Sequence, residues 1–370
     1  MVEVGMWPHP AGGYREAVRI RVDPHSAQIP RPRLVPRWEG LTPDQVRAAV
    51  QDAGVVGLGG AAFPTHVKLK APEGTHIRLL LVNGAECEPY LTSDHRVMVE
   101  HPERVHFGIR IMMQCLAVDR AIIGVEKNKP DAVERLRATL PADLDITVLP
   151  LRVKYPQGAE KMLIKAATGL EVPSGKLPAH AGTVVQNVGS IAAIAEVFET
   201  GYPLIERIVT VSGPGIREPA NLVIPVGTRA RDVLEFCGGL TEDATEVLFG
   251  GPMMGAPQPD LDAPVLKGTS GIVALTESNA RTVHPCISCG HCLEACPVFL
   301  NPARLGRLAQ AGRYQEMADM HLMDCMVCGS CSYVCPSGIP LSQMFALAKG
   351  AVRREAERVR AREAEEEVAA

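Results

Sequence analysis

Eight of the chain's eleven cysteines lie between Cys286 and Cys335, in two copies of one pattern. The first copy is Cys286-x-x-Cys289-x-x-Cys292-x-x-x-Cys296-Pro297 and the second is Cys325-x-x-Cys328-x-x-Cys331-x-x-x-Cys335-Pro336. Thiolate is the soft ligand that iron takes, and gaps of two residues let a short loop wrap three corners of a cubane. Each run therefore reads as the seat of a [4Fe–4S] cluster. In two-cluster proteins the fourth cysteine ligates the other cluster. That rule gives Cys286, Cys289, Cys292 and Cys335 to one cluster, and Cys325, Cys328, Cys331 and Cys296 to the other. A pair of zinc sites is the competing reading, but zinc takes four ligands per site without needing this run and its proline twice. The chemistry is electron transfer. Cys87, Cys115 and Cys237 stand alone and read as small buried side chains, with Cys87 set apart by its place between two glutamates.

A second group of residues could hold an organic cofactor. Gly57-Leu58-Gly59-Gly60-Ala61-Ala62-Phe63-Pro64 is dense in glycine. Gly57-x-Gly59-x-x-Ala62 matches a dinucleotide fingerprint only superficially, because that fingerprint follows a strand and opens a helix. Here a capped helix precedes the loop and Phe63-Pro64 follows it. Two readings stay open on the residues alone. One is a nest of backbone N–H groups closely approaching a phosphate or a flavin, with Lys68 adding positive charge; the other is an ordinary tight turn. No catalytic residue is assigned.

These loops need elements to position them. A helix starts at Thr42-Pro43-Asp44-Gln45, with a capping Thr, Pro at the first helical position and Gln three residues after the cap, and Gly54 is its stop. A buried strand over 77–82 leads into Asn83-Gly84-Ala85-Glu86-Cys87-Glu88-Pro89. Helices then read over 102–115, 131–140, 160–168 and 190–199, and strands over 121–125 and 146–151. That alternation makes 41–203 an α/β domain. Residues 204–276 read as a small α+β unit, with strands at 208–212 and 222–226 and one short helix near 231–237. Residues 277–350 hold the cysteines, with a helical spacer over 302–311, and 351–370 read as a charged helical tail. Residues 1–40 look too thin to be a domain and offer one strand, 17–22.

A chain of 370 residues suits two or three domains. Its formal net charge of −4 gives no electrostatic case for nucleic acid. No apolar stretch is long enough to span a bilayer, and the first residues lack a signal-peptide layout. A cytoplasmic chain in a reducing compartment is the expectation.

The glycine loop, extended through Thr65-His66-Val67-Lys68-Leu69, resembles the flavin loop of the Rnf complex C-subunit family. It is also similar to the loop in the flavin-binding subunit of respiratory complex I. Asn83–Pro89 resembles that family's second, acidic loop, Tyr155-Pro156-Gln157-Gly158-Ala159-Glu160 its third, and Thr183-Val184-Val185-Gln186-Asn187-Val188 its fourth. The 204–276 unit is similar to its β-grasp (SLBB-like) module, and the paired cysteine runs match the Rnf protein rather than the complex I one. The resemblance implies FMN over Gly57, Gly59 and Gly60, contacted by Lys68, Asn83, Glu86 and Asn187. It implies NADH above the flavin, with adenine near Phe63 and ribose hydroxyls near Glu88 and Glu160. Hydride would pass from NADH to FMN, and single electrons onward through the clusters.

The implied protein is an NADH dehydrogenase subunit, peripheral on the cytoplasmic face of the membrane. Its partners would be other subunits of the complex and a ferredoxin-like electron carrier. A flavin and iron–sulfur corrinoid reductase, or a pure electron relay with a lapsed nucleotide site, are the alternatives. The sequence departs from the family pattern in three places. Ala159 replaces one acid of the third loop, Lys70-Ala71 replaces a second aromatic, and only the last strands of an N-terminal barrel domain are matched. Residues 1–25 are therefore expected to form an orphaned β-ribbon or to be poorly ordered.

Overall fold

A computed structural model describes residues 2–22, 37–277 and 281–369. They form two compact units, Met1–Val172 with Leu177–Ser278, and Pro173–Lys176 with Asn279–Ala370. Strands β1 (Val2–Pro8) and β2 (Tyr14–Ile20) pair antiparallel as an isolated two-stranded ribbon. Val4, Met6, Val18 and Ile20 are exposed on it. A ribbon is present over Val2–Ile20, and residues 1 and 23–25 of that expectation lie outside the described residues.

The α/β domain of the first unit runs α1 (Pro43–Asp52), α2 (Thr65–Lys68), β3 (Leu79–Gly84), α3 (Ser93–Glu100), α4 (Pro102–Leu116), β4 (Arg120–Glu126) and α5 (Pro130–Ala138). It continues with β5 (Asp145–Leu151), α6 (Glu160–Thr168), β6 (Thr183–Asn187) and α7 (Val188–Thr200). The capping box at Thr42 forms as the residues require, with Gln45 N donating to Thr42 Oγ1 and Thr42 N to Gln45 Oε1. The four strands are parallel in the order β5-β4-β3-β6. Leu80, Val82 and Val184 pack in one core with α1, α4 and α7. Leu81, Ile122 and Val185 face α6 through Leu163 and Ile164. Alternate residues of each strand thus serve opposite faces, as a sheet covered on both sides requires. Two expectations change here. Residues 183–187, a loop by resemblance, are β6, which suits the β-branched Thr-Val-Val run. Helix α3 is not among the expected elements, because its apolar stripe is short.

The β-grasp module of the same unit contains β7 (Glu206–Ser212), β8 (Ala220–Pro225), α8 (Ala230–Phe236), β9 (Glu246–Phe249), β10 (Ala256–Pro257) and β11 (Gly271–Leu275). Its sheet order is β10-β9-β11-β7-β8, with β11 and β7 parallel and the other pairs antiparallel. Val209, Val211, Val233 and Ile272 fill its core.

The second unit contains α9 (His291–Glu294), α10 (Pro302–Gln310), α11 (Tyr314–Asp319), α12 (Ser330–Tyr333) and α13 (Leu341–Ala369). The tail helix thus begins ten residues before the expected start. Its first turns bury Leu341, Phe345 and Ala348 in the core of this unit, while 353–365 are exposed.

Candidate functional site

In sequence order the parallel sheet runs 3-2-1-4, so its connections switch direction between β3 and β6. A crevice for ligands opens beyond the carboxyl ends of such a pair. Asn83 and Asn187 face each other across that edge as register partners, and the glycine loop lies against it. A Cβ on Gly59 would stand 3.4 Å from Asn187 Nδ2, an ordinary contact distance, so the loop packs directly against this side chain. Gly57 N donates to Phe63 O at 2.8 Å and Ala62 N to Gly57 O at 3.1 Å, which closes the loop. Among the described residues the amides of Gly59, Gly60 and Ala61 have no acceptor. The turn is closed at its base by these two bonds, and its exposed tip leaves three amides free to meet a ligand.

Further unpaired groups gather in the same domain. The side-chain amides of Gln157 and Gln186 and the hydroxyl of Thr65 are buried without a partner among the described residues. Buried polar groups left so cost about 1–3 kcal/mol each. Thr65 opens α2 after the glycine loop, Gln157 lies in the third loop and Gln186 precedes Asn187. These three side chains are sealed from solvent, so they do not line an open space; the exposed amides of the glycine loop are the groups left to meet a polar, phosphate-bearing cofactor.

The remaining expected residues serve partly to hold the loops. Lys68 pairs with Glu160 and donates to Val185 O at 3.5 Å. Asn83 Nδ2 donates to Gly158 O at 2.7 Å, tying the second loop to the third. Phe63 stands 46% exposed at the rim. Glu86 differs from the expected direct contact. Its carboxylate accepts from Ser93 Oγ, Asp94 N and His95 N, capping α3. Glu88 differs too, since its oxygens accept from Met253 N at 3.1 Å and Met254 N at 2.7 Å in the β9–β10 loop. Burial raises its pKa and these amides oppose the rise. Cys87 is pushed up to about 11, chiefly by burial, so it is an inert thiol and not a nucleophile.

Sequence reasoning missed Asp94, Lys129 and Arg207, none of which sits in a motif. Lys129 Nζ lies 3.5 Å from Glu126 and donates to Glu86 O. Asp94 accepts from Asn187 Nδ2 at 2.6 Å. It lies deep in the unit but lines a cavity with His101, Glu196 and Arg207, which leaves part of its surface accessible. Burial, and then the charge of Glu86, push its pKa up to about 7, against Asn187, Arg207 and Lys129. The folded chain thus keeps a proton there that the unfolded chain has released. Stability from this group is greatest at acid pH and falls as pH rises from the ordinary aspartate range through about 7. Asp94→Asn should flatten that fall, measured as denaturation midpoints across pH 5 to 8. An unchanged slope would place the titration elsewhere.

The second unit repeats one backbone course. Ser288 and Val327 take φ of 57° and 56°, Gly290 and Gly329 take 84° and 82°, and Phe299 and Gly338 take 54° and 62°. These are matching positions of the two runs. A valine in the left-handed region is strained, and such strain persists where surrounding structure imposes it. One cavity is lined by Cys286, Cys289, Cys292 and Cys335, and another by Cys296, Cys325, Cys328 and Cys331. Each set takes three cysteines from one run and the fourth from the other. Among the described residues no three Cys, His, Asp or Glu side chains gather tightly enough for a single metal ion. Four cysteines around each cavity, three from one run and one from the other, match the ligand pattern of a two-cluster iron–sulfur protein. Burial and then the neighbouring Cys325, Cys328 and Cys296 push Cys331 up to about 12, so its thiol ionises only with a cation to bind. Leu300 N and Val327 N donate to Cys296 Sγ and Cys325 Sγ.

Comparison with known proteins agrees with this geometry. Residues 50–196 match the Nuo51 FMN-binding domain, 208–257 the SLBB domain and 282–339 the 4Fe-4S dicluster domain. The fold resembles the NAD+-reducing [NiFe]-hydrogenase in its air-oxidized state, with TM-score 0.58 and 22% identity over 77% of this chain and 55% of that one. The C subunit of the proton-translocating ferredoxin:NAD(+) oxidoreductase complex of Clostridium ljungdahlii is 45% identical over 85% of this chain and 69% of its own. The C subunit of the Na(+)-translocating complex of Acetobacterium woodii is 43% identical over 86% of this chain and 72% of its own. The C subunit of the ion-translocating oxidoreductase complex of Rhodobacter capsulatus is 43% identical over 93% and 66%. With an FMN-binding domain, an SLBB domain and an iron–sulfur dicluster domain in that order, the chain belongs to the Rnf C-subunit family of ion-translocating ferredoxin:NAD(+) oxidoreductase complexes.

Proposed function

We propose that this chain passes electrons between NAD(H) and a one-electron carrier, with FMN in the β3–β6 crevice and two [4Fe–4S] clusters in the cysteine unit. The observation that supports it most is the set of exposed, unpaired Gly59, Gly60 and Ala61 amides, in a loop that packs against Asn187 at the end of β6. The bound flavin supplies the exchange between two-electron and one-electron transfer. The protein's part is to bind and orient. Gly57, Gly59 and Gly60 give the close backbone approach, and Lys68, Asn83 and Asn187 line the crevice. Glu86 acts through the cap of α3. Cys286, Cys289, Cys292 and Cys335 ligate one cluster, and Cys296, Cys325, Cys328 and Cys331 the other. Among the described residues no helix is long and apolar enough to cross a membrane. We propose a peripheral position on the cytoplasmic face, against other subunits of the complex and a ferredoxin-like carrier; the relatives' membership of ion-translocating ferredoxin:NAD(+) oxidoreductase complexes supports it.

Nucleotide binding is the weak point of the site. Phe63 offers one exposed aromatic face for adenine. Glu88 and Glu160, expected at the ribose hydroxyls, are held by Met253, Met254 and Lys68, so binding exchanges protein contacts for ribose ones. A missing stacked aromatic is worth about 0.5–1.5 kcal/mol, and a lost bond to a charged acceptor about 1.5–3 kcal/mol. Together they weaken binding by roughly one to three decades. NADH should still bleach the flavin band in stopped flow. Glu160→Ala should raise the apparent KM with little change in limiting rate, because the binding lost is uniform. If millimolar NADH leaves the flavin oxidised while dithionite reduces it, the chain is a relay without a working nucleotide site.

A further inference from the structure

Leu58 precedes the open amides of the glycine loop, and both of its backbone groups are held by side chains distant in sequence. Its N–H donates to Ser190 Oγ at 2.8 Å, and Ser190 Oγ in turn donates to Val56 O at 3.3 Å. Its carbonyl accepts from Arg207 Nη2 at 3.2 Å in a buried contact. Arg207 comes from β7 of the β-grasp module and is 6% exposed. Its other donors go to Lys267 O and Ile208 O, so the guanidinium is fixed. The same module braces the loop's base: Lys267 Nζ donates to Gly54 O at 2.7 Å, and Leu204 N donates to Ala53 O at 2.9 Å. A Cβ on Gly268 would stand 3.1 Å from Gly60 O.

The Leu58 carbonyl and the Gly59 N–H belong to one planar trans peptide, so they point in opposite directions. A side chain that fixes the first fixes the second. Gly59 N–H is among the amides without a protein acceptor. We propose that Arg207 is a positioning residue of the flavin loop, which by holding the Leu58 carbonyl aims the Gly59 N–H at the bound cofactor. Burial lowers its pKa to about 10, opposed by Asp94 and Glu86, so the side chain stays charged at neutral pH. Two effects follow: the nest is organised before binding, and a fixed positive charge lies behind a loop that approaches an anionic cofactor. The inference rests on the flavin reading of the crevice.

The test is FMN titration of the full chain, followed by quenching of flavin fluorescence, for wild type, Arg207→Lys, Arg207→Ala and Ser190→Ala. Arg207→Lys keeps the charge but loses the planar fork, and should bind FMN roughly 10-fold more weakly. Arg207→Ala should bind roughly 100-fold more weakly. Iron content should not change in either. Ser190→Ala loosens the N–H side of the same residue, so the double variant with Arg207→Lys should lose less than the product of the single losses. A merely structural arginine would lower the melting temperature of the flavin-free chain and leave the affinity of the folded fraction alone. Equal affinities for wild type and Arg207→Lys overturn the positioning role. Absence of FMN binding by wild type overturns the flavin reading itself. Should Arg207→Ala fail to fold, Arg207→Lys decides.

Discussion

Cys335→Ser should abolish the cluster built on the first cysteine run, and Cys296→Ser the cluster built on the second. The reason is the sharing of cysteines between the two cavities. Cys335 lines the cavity of Cys286, Cys289 and Cys292, and Cys296 that of Cys325, Cys328 and Cys331. A serine hydroxyl is a harder and far less acidic ligand than a thiol, so a corner iron loses its anchor. Iron per chain should fall from about eight to about four in each variant. The remaining paramagnetic signal after reduction should differ between them. The two sets of cysteines are not equally exposed. Cys286 and Cys289 are exposed, whereas Cys296, Cys328 and Cys331 are buried. The cluster left in Cys296→Ser should therefore be the faster one to bleach with ferricyanide. Alanine at the same positions removes any chance of oxygen ligation. If each variant loses only the cluster of its own run, the crossed ligand sets are wrong.

Gly158→Ala should cost the α/β domain about 1–3 kcal/mol and weaken FMN binding at least roughly tenfold, since one decade is only about 1.4 kcal/mol. A Cβ there would overlap the carbonyl oxygen of Ala85 and stand 3.3 Å from Cys87 Sγ. Backbone cannot yield as a flexible side chain would, so the third loop must move. With it goes the bond from Asn83 Nδ2 to Gly158 O, and Glu160, two residues on, leaves Lys68. Gly40→Ala is the control, since a Cβ there meets nothing within 4 Å. The same change in composition should then alter stability by no more than about 0.5 kcal/mol. Thermal melting and FMN titration of the two variants together check the claim. Unaltered FMN affinity in Gly158→Ala would mean that the second and third loops do not act as one site.

Much of this protein is legible in its residues because the signals are local. The capping box at Thr42 involves residues three apart, and α1 forms where it directs. The helices at 102–115, 160–168 and 190–199 follow apolar stripes and start and stop residues, and the observed elements differ by two residues or fewer at each end. The acidic loop is visible as a motif, but what its acids touch is not. Glu86 caps a helix whose stripe is too short to notice, and Glu88 binds a loop some 165 positions away in the chain. The strand β6 passes for a loop, because five residues give no periodicity that separates strand from turn.

What the sequence determined by itself was the chemistry: two successive cysteine runs with the spacing iron needs, an α/β domain with a glycine-dense loop, and an order of modules matched by the Rnf C-subunit family. What only the tertiary structure decided was which groups are spent on the fold and which are left open. The chain cannot announce that Gly59, Gly60 and Ala61 keep unpaired amides, or that Leu58 is held by Ser190 and Arg207 from 132 and 149 positions away. Nor can it announce that Asp94 lines a cavity deep in the unit, beside Glu86 and Arg207. Those facts depend on hydrogen bonds and burial between segments brought together by the parallel sheet and the β-grasp module. No pattern along one segment encodes the position of another.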